Sequence, residues 1–159
     1  KYRGEPRGDY TLVWGGATDR LGLLFRYCNL YPDDKAILIA TEMMRKPVTL
    51  GLNHIVVTAM DDFDIFGWLA GSRRLVTAMG MITYEAAALG VPCWVFNYSE
   101  THLLFAEAMA KHGLIKTCPG VGLPDNPQMR EFLSEPFEIT GQPPDGVGAE
   151  RICKVLEGE

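Results

Sequence analysis

The chain has 159 residues, of which 47% are hydrophobic and 22% are charged, as is typical of one globular domain with a real core. The formal net charge of −5 argues against nucleic acid as a partner, because no basic stripe could neutralise a phosphate backbone. No apolar run approaches the roughly 20 residues that a membrane-spanning helix needs. We therefore expect no transmembrane segment, and the absence of a CxxC pair among the four cysteines fits a reducing cytoplasm.

Read in order, the chain alternates apolar strands with helices about six times. Residues 1–9 resemble an arm or linker, and residues 10–159 a single domain. Strands are expected at Tyr10–Trp14, Ala36–Ala40, His54–Ala59, Leu75–Ala78, Val91–Asn97 and Leu114–Thr117. Helices are expected after a cap at Thr18 or Asp19, and at Asp61–Leu69, Met81–Leu89, Glu100–His112, Gln128–Leu133 and Ala149–Glu157, with a helical turn at Thr41–Arg45. The alternation predicts an α/β fold: a Rossmann-like, doubly wound parallel sheet of about six strands, with a ligand crevice at the carboxyl ends of its strands.

The strongest indication of function lies between Arg74 and Ala106. A strand leads through Met79–Gly80 into the Met81–Leu89 helix, so a helix N-terminus is expected at the carboxyl edge of the sheet. Backbone N–H groups and the helix dipole favour an anion there. Glu85, about one turn into the helix, is within reach of a polar group on the same ligand. The pattern predicts a phosphate site with a hydroxyl-binding carboxylate, although Glu85 could also be only a well-placed carboxylate near a helix start.

Two other turns follow predicted strands. Gly15–Gly16 would let the backbone approach a phosphate closely, and a plain tight turn is the alternative interpretation. The sequence is not GxGxxG, so the dinucleotide fingerprint is absent. The turn at Met60–Asp62 could offer backbone hydrogen bonds to a base edge, while its aspartates cap the next helix.

Few other residues suggest chemistry. His102 begins the long helix and is expected to face the same crevice as Gly80 and Glu85. The sequence has no GxSxG and no Cys with a placed His, so no nucleophilic mechanism is indicated. It has no DxD pair at a strand end, so no metal and no cofactor is expected. None of the four cysteines forms a CxxC pair, and buried free thiols are expected at Cys28, Cys93, Cys118 and Cys153.

Four segments in order resemble a known family. They are VWGGATD (Val13–Asp19), GMITYEAAALGVP (Gly80–Pro92), ETHLLFAEAMAKHG (Glu100–Gly113) and DGVGAERI (Asp145–Ile152). Together they are similar to the C-terminal half of GT-B glycosyltransferases and related nucleotide-sugar hydrolases. The match is to the spore-coat polysaccharide and pseudaminic-acid pathway group, and more distantly to the lipid II-forming N-acetylglucosaminyltransferase.

This resemblance implies a domain that holds a nucleotide-sugar, with UDP-sugar as the expected ligand. Glu85 would bind the ribose hydroxyls, Met79–Thr83 would cradle the diphosphate, and Met60–Asp61 would support the uracil. The implied binding residues are Gly15, Gly16, Met60, Met79, Gly80, Met81, Ile82, Thr83, Glu85, Thr101 and His102. The chain departs from the family at Met79, where a glycine or serine is usual, and at Thr101–His102, where the family has Asn-Gln.

The resemblance leads to one main functional hypothesis. The chain would be the donor-binding C-terminal domain of a nucleotide-sugar transferase or hydrolase in polysaccharide biosynthesis. It would be catalytically incomplete alone, because the general base of this group belongs to an N-terminal GT-B domain supplied in cis or in trans. The alternative is a non-catalytic interaction module or a subunit of a split GT-B enzyme, which the departures favour slightly. The sugar, the acceptor and the choice between transfer and hydrolysis stay open.

Overall fold

The computed structural model describes residues 7–41, 43, 50–58 and 64–143. Its strands are Thr11–Trp14 (β1), Ala36–Ala40 (β2), His54–Thr58 (β3), Arg74–Ala78 (β4), Cys93–Phe96 (β5) and Lys116–Thr117 (β6). Its helices are Leu23–Leu30 (α1), Ile65–Ala70 (α2), Met81–Leu89 (α3), Glu100–Lys111 (α4) and Asn126–Ser134 (α5). The strands form one parallel six-stranded sheet in the order β3-β2-β1-β4-β5-β6. The predicted Rossmann-like α/β class is confirmed.

The strand order reverses between β1 and β4. The chain first builds outward from β1 to β3, and then returns to place β4 on the other side of β1. The register pairs Trp14 with Thr77 at the carboxyl end of the two strands. The Thr77 hydroxyl donates to the Trp14 carbonyl at 2.6 Å, which ties the two strand ends together. Such a reversal is where open α/β sheets form their ligand crevice.

Both faces of the sheet are covered, which explains why β2 is continuously apolar. All five residues of β2, AILIA, are buried. Neighbouring strand residues point to opposite faces, so Val13 and Leu12 lie in different core clusters. One cluster contains α1 and α5 residues such as Leu24, Tyr27, Met129 and Phe132. The other contains α3 and α4 residues such as Ile82, Ala86 and Ala106.

Several boundaries differ from the sequence prediction for local reasons. β5 begins at Cys93 rather than Val91, because the Val91 N–H donates to the Ala86 carbonyl at 2.8 Å and Pro92 has no N–H to donate. β6 is only two residues long. α5 starts earlier than predicted, at Asn126, because the Asp125 side chain accepts from the Gln128 N–H at 2.9 Å.

The predicted end of α3 is confirmed. Gly90 has a left-handed φ of 72° and its N–H donates to the last carbonyls of the helix. Three cysteines, Cys28, Cys93 and Cys118, are free and buried as expected. No helix in the described residues is both long enough and apolar enough to span a bilayer.

Some predicted features lie outside the described residues. These are the Ala149–Glu157 helix with the Asp145–Ile152 motif, the Met60–Asp62 turn, most of the Thr41–Arg45 turn, Cys153, and residues 1–6 of the arm. Of the predicted Asp61–Leu69 helix, the described part begins at Asp64, whose carboxylate accepts from the Gly67 N–H at 3.0 Å and caps α2.

Candidate functional site

A cavity of about 470 Å³ lies between the turn after β1 and the turn after β4. It is therefore at the point where the strand order reverses. Six residues of the predicted binding set line it: Gly15, Gly16, Met79, Gly80, Met81 and Ile82. The two glycine turns, far apart in the sequence, thus face one space.

The α3 side of this cavity begins with Gly80. The Thr83 N–H donates to the Gly80 carbonyl at 3.0 Å, and the Gly80 N–H lies 3.4 Å from the Thr83 hydroxyl oxygen. The N–H groups of Met81 and Ile82 have no acceptor within the helix, because they belong to its first turn. Both residues line the cavity. The α3 N-terminus can therefore provide N–H donors and the positive end of its dipole to an anion.

The α1 side is different, because a side chain already occupies its N-terminus. The Asp19 carboxylate accepts from the Leu23 N–H at 2.8 Å and from the Leu24 N–H at 3.2 Å. A Cβ atom on Gly15 would lie 2.0 Å from the Asp19 Oδ1. Glycine at position 15 is thus explained by the Asp19 carboxylate, whereas Gly16, with a φ of 86°, has open space where a Cβ would be. Burial raises the pKa of Asp19, and the two N–H donors partly oppose this.

Glu85 lies one turn into α3 and is half-buried. Its carboxylate has no hydrogen-bond or ion-pair partner among the described residues. Burial without such a partner raises the pKa of Glu85. The residue does not line the cavity itself and lies further along the same helix. Glu85 is therefore an unpaired acceptor beside the α3 site.

His102 does not line the cavity and contacts two neighbours. Its Nδ1 is 2.6 Å from the Ser99 Oγ, and its ring stacks on Tyr98 with 3.8 Å between centroids. Tyr98 itself lines the cavity, and the guanidinium of Arg20 lies 5.8 Å from the centre of the Tyr98 ring. Tyr98 thus contacts both the imidazole of His102 and the guanidinium of Arg20.

Four other described residues of the predicted set do not line the cavity, namely Thr83, Glu85, Thr101 and His102. Thr83 is buried, Thr101 is exposed on α4, and Met60 lies outside the described residues. Their assignment to ligand binding, like that of the whole set, stays a prediction. Sequence reasoning missed Trp14, Arg20 and Tyr98, which all line the cavity. Tyr98 could have been found, since it directly follows the predicted strand Val91–Asn97 at the carboxyl edge of the sheet.

Trp14 brings an unused donor to this region. Its indole Nε1–H is buried and finds no acceptor within the described part of the chain. Trp14 ends β1 at the cavity wall. A buried donor without an acceptor loses its hydration without compensation, so an acceptor on a ligand would be favourable there. The described residues hold no group of three His, Cys, Asp or Glu side chains suited to a metal ion.

Comparison by sequence finds no relatives. No protein-family model matches the chain, and no curated protein sequence matches it.

Comparison by structure finds clear likenesses. The calicheamicin glycosyltransferase superposes with a TM-score of 0.60 at 18% identity, over 98% of this chain and 38% of the glycosyltransferase chain. The spinosyn forosaminyltransferase gives a TM-score of 0.58 at 18% identity, over 96% of this chain and 45% of the forosaminyltransferase. A Listeria monocytogenes protein assigned as a UDP-N-acetylglucosamine 2-epimerase gives a TM-score of 0.62 at 17% identity. The match covers 98% of this chain and 45% of the Listeria protein.

What these proteins share with the chain is the fold. The described sheet with its flanking helices is a Rossmann-like domain of the kind found in glycosyltransferases. The chain spans less than half the length of each of the three proteins, with shares of 38%, 45% and 45%.

Proposed function

We propose that the chain is a donor-binding domain for a nucleoside-diphosphate sugar, with UDP-sugar as the ligand. The observation that carries this proposal is the open N-terminus of α3 in the wall of the cavity at the strand-order reversal. The polysaccharide pathway that the resemblance implies belongs to the same proposal, as does the cytoplasmic location expected from the cysteines.

The diphosphate would bind at the start of α3. The N–H groups of Met81 and Ile82 would donate to its oxygens, and the helix dipole would favour its charge. Arg20 lines the same cavity from the opposite turn. Its planar guanidinium suits bidentate contact with phosphate oxygens, and its packing over Tyr98 restricts where it can lie. The anion would therefore be held between helix donors on one side and a cation on the other.

The nucleoside would extend along α3 from this anchor. Glu85 is one helical turn away and unpaired among the described residues. An ionised carboxylate accepts two hydrogen bonds well, and a ribose offers two neighbouring hydroxyls. The Met60–Asp62 turn remains the proposed support for the uracil.

The chemistry supported by such a site is displacement at the anomeric carbon of the sugar. When the bond from that carbon to the diphosphate oxygen breaks, negative charge develops on the diphosphate. The α3 N–H groups and Arg20 would stabilise this charge without rearrangement. The base that activates the acceptor would come from an N-terminal GT-B domain, so this chain alone is expected to bind and not to turn over.

Calorimetric titration with UDP, UDP-sugars, CMP-sugars and NAD tests this proposal. Binding of UDP and at least one UDP-sugar, with weaker binding of the CMP-sugars and none of NAD, is the expected result. Failure of every nucleotide to bind at millimolar concentration would overturn it.

An interaction module is the second candidate function. Three apolar side chains in the first halves of α3 and α4 are exposed, Met81 at 74%, Leu104 at 68% and Phe105 at 55%. Exposed apolar residues near one edge favour contact with another domain or chain. A chain that binds no nucleotide but associates with a GT-B N-terminal domain would support this second candidate.

A further inference from the structure

The two helix N-termini beside the cavity are not equivalent. Among the described residues, the N–H groups at the start of α3 have no side-chain acceptor other than the long Gly80–Thr83 contact. At α1 the carboxylate of Asp19 accepts from both the Leu23 and the Leu24 N–H groups. Asp19 therefore occupies the position in which α1 could bind an external anion.

We propose that Asp19 is a specificity-determining residue that excludes a ligand phosphate from α1 and leaves α3 as the anion site of the cavity. What this exclusion implies for the choice of nucleotide rests on the proposed function. The chain would then bind ligands that place a single diphosphate at α3. It would reject dinucleotides whose pyrophosphate binds at the first strand-to-helix turn.

The backbone at Asp19 shows that this arrangement is specific. Asp19 has a φ of 42°, in the left-handed region that most residues with a side chain avoid. Glycine would adopt this conformation without strain. The side chain at this position instead reaches back to the helix N-terminus and makes two hydrogen bonds. These bonds compensate for the strained conformation.

Sterics and charge both exclude a second anion. The space beside Gly15 is filled, since a Cβ on that glycine would meet Oδ1, Cγ and Cβ of Asp19 at 2.0, 2.4 and 2.8 Å. A phosphate approaching the Leu23 and Leu24 N–H groups would have to displace these atoms. It would also meet a like charge in a partly buried site, where repulsion is weakly screened. The Gly15–Gly16 turn thus differs from a dinucleotide-binding turn in function as well as in sequence.

A purely structural helix cap would make the same two bonds, so the test must follow a ligand. We would titrate inorganic pyrophosphate into the ¹⁵N-labelled chain and follow the amide resonances by NMR. Asp19→Gly removes the carboxylate and suits the left-handed φ. Asp19→Asn is the matched control, because it removes the charge but keeps an oxygen that can accept from the helix.

The expected pattern separates the two helix ends. In the wild-type chain and in Asp19→Asn, the Leu23 and Leu24 amides do not shift with pyrophosphate. In Asp19→Gly both amides shift and the shifts saturate. Saturable shifts at Leu23 and Leu24 in the wild type, or their absence in a folded Asp19→Gly, would overturn the proposal. Should Asp19→Gly fail to fold, Asp19→Ala, which also removes the carboxylate, takes its place with the same two outcomes.

The pyrophosphate test of Asp19 can fail independently of the UDP test of the proposed function. The proposed function depends on the Met81 and Ile82 amides, which should respond to UDP. The Met81 and Ile82 amides could fail to shift with UDP while the Leu23 and Leu24 amides shift with pyrophosphate only in Asp19→Gly. This result would support the role of Asp19 and overturn the nucleotide-sugar assignment.

Discussion

The Asp19 carboxylate fills the space that a side chain on Gly15 would need, with Oδ1 only 2.0 Å from the position of a Cβ atom. The same carboxylate accepts from the N–H groups of Leu23 and Leu24. One contact thus couples the glycine turn after β1 to the start of α1 and shapes one wall of the cavity.

We predict that Gly15→Ala destabilises the chain by about 1–3 kcal/mol, because the new Cβ must displace a hydrogen-bonded carboxylate. In the Asp19→Gly background the same change should be nearly neutral, since the obstructing atoms are gone. Urea denaturation of the two single variants and the double variant measures this coupling. Additive effects would show that Gly15 is required for another reason.

Gly80→Ala provides a control for this cycle. Gly80 has extended backbone, and the nearest atom to its Cβ position, the Ala78 carbonyl oxygen, is at 3.9 Å. The expected loss is about 1 kcal/mol or less, from a poorer residue at a helix N-cap.

Glu85→Ala should weaken UDP binding by about 1–3 kcal/mol, because two ribose hydroxyls would lose their acceptor. Glu107→Ala, which removes an exposed carboxylate from α4, is the control and should leave the affinity unchanged. Calorimetry with UDP measures both. An unaltered affinity in Glu85→Ala would show that Glu85 is only a carboxylate near a helix start.

Arg20→Gln should weaken binding of UDP but not of uridine, because the lost cation would face the diphosphate in the proposed site. We expect roughly a tenfold loss, modest because an exposed charge is partly screened. Arg130→Gln, on α5 beside Tyr31, is the matched control. Equal losses for UDP and uridine would place Arg20 against the nucleoside instead.

The acid stability of the chain should depend on Asp34. Its carboxylate accepts from the Tyr27 hydroxyl at 2.5 Å and the Thr11 hydroxyl at 3.0 Å, with Arg73 and Arg74 beside it. Burial alone would raise the pKa of Asp34, but the Tyr27 hydrogen bond, the Arg73 charge and the Thr11 hydrogen bond outweigh it and hold the pKa below its ordinary 3.8.

The sign of the pH effect follows from that lowered pKa. The stabilisation is complete above the unfolded-state pKa and is lost as the pH falls through the lower folded-state pKa. Asp34→Asn should therefore be less stable than the wild type near neutral pH, with a flatter decline between about pH 4 and pH 2. Urea denaturation across this range tests it. If the free energy of unfolding falls equally with pH in the wild type and in Asp34→Asn, the lowered pKa of Asp34 is contradicted.

Much of the fold could be predicted from local sequence. The β2 strand is a continuous apolar run, and the α3 helix is bounded by Gly80 and Gly90, so the bounds of both elements were predicted correctly. The shortness of β5 could not be foreseen, because it depends on a hydrogen bond from Val91 back to α3. Strand order is likewise a property of the assembled sheet and not of any one segment.

The candidate site was less predictable. The two glycine turns could be identified because functional turns follow strands in such sheets. Capping of the helix by Asp19 was one of two predicted possibilities and is confirmed. Its contact with Gly15 could not be predicted, because it depends on a left-handed backbone that turns the side chain toward its own helix. The contact of the Arg20 guanidinium with the Tyr98 ring joins residues from separate turns, and no local pattern encodes such a contact.

The most direct test of the account is a UDP titration of the ¹⁵N-labelled chain followed by amide NMR. The account predicts saturable shifts at Met81, Ile82 and Glu85, at the start of α3, with Leu23 and Leu24 unaffected. No shifts at millimolar UDP, or shifts confined to residues away from the α3 N-terminus, would contradict it.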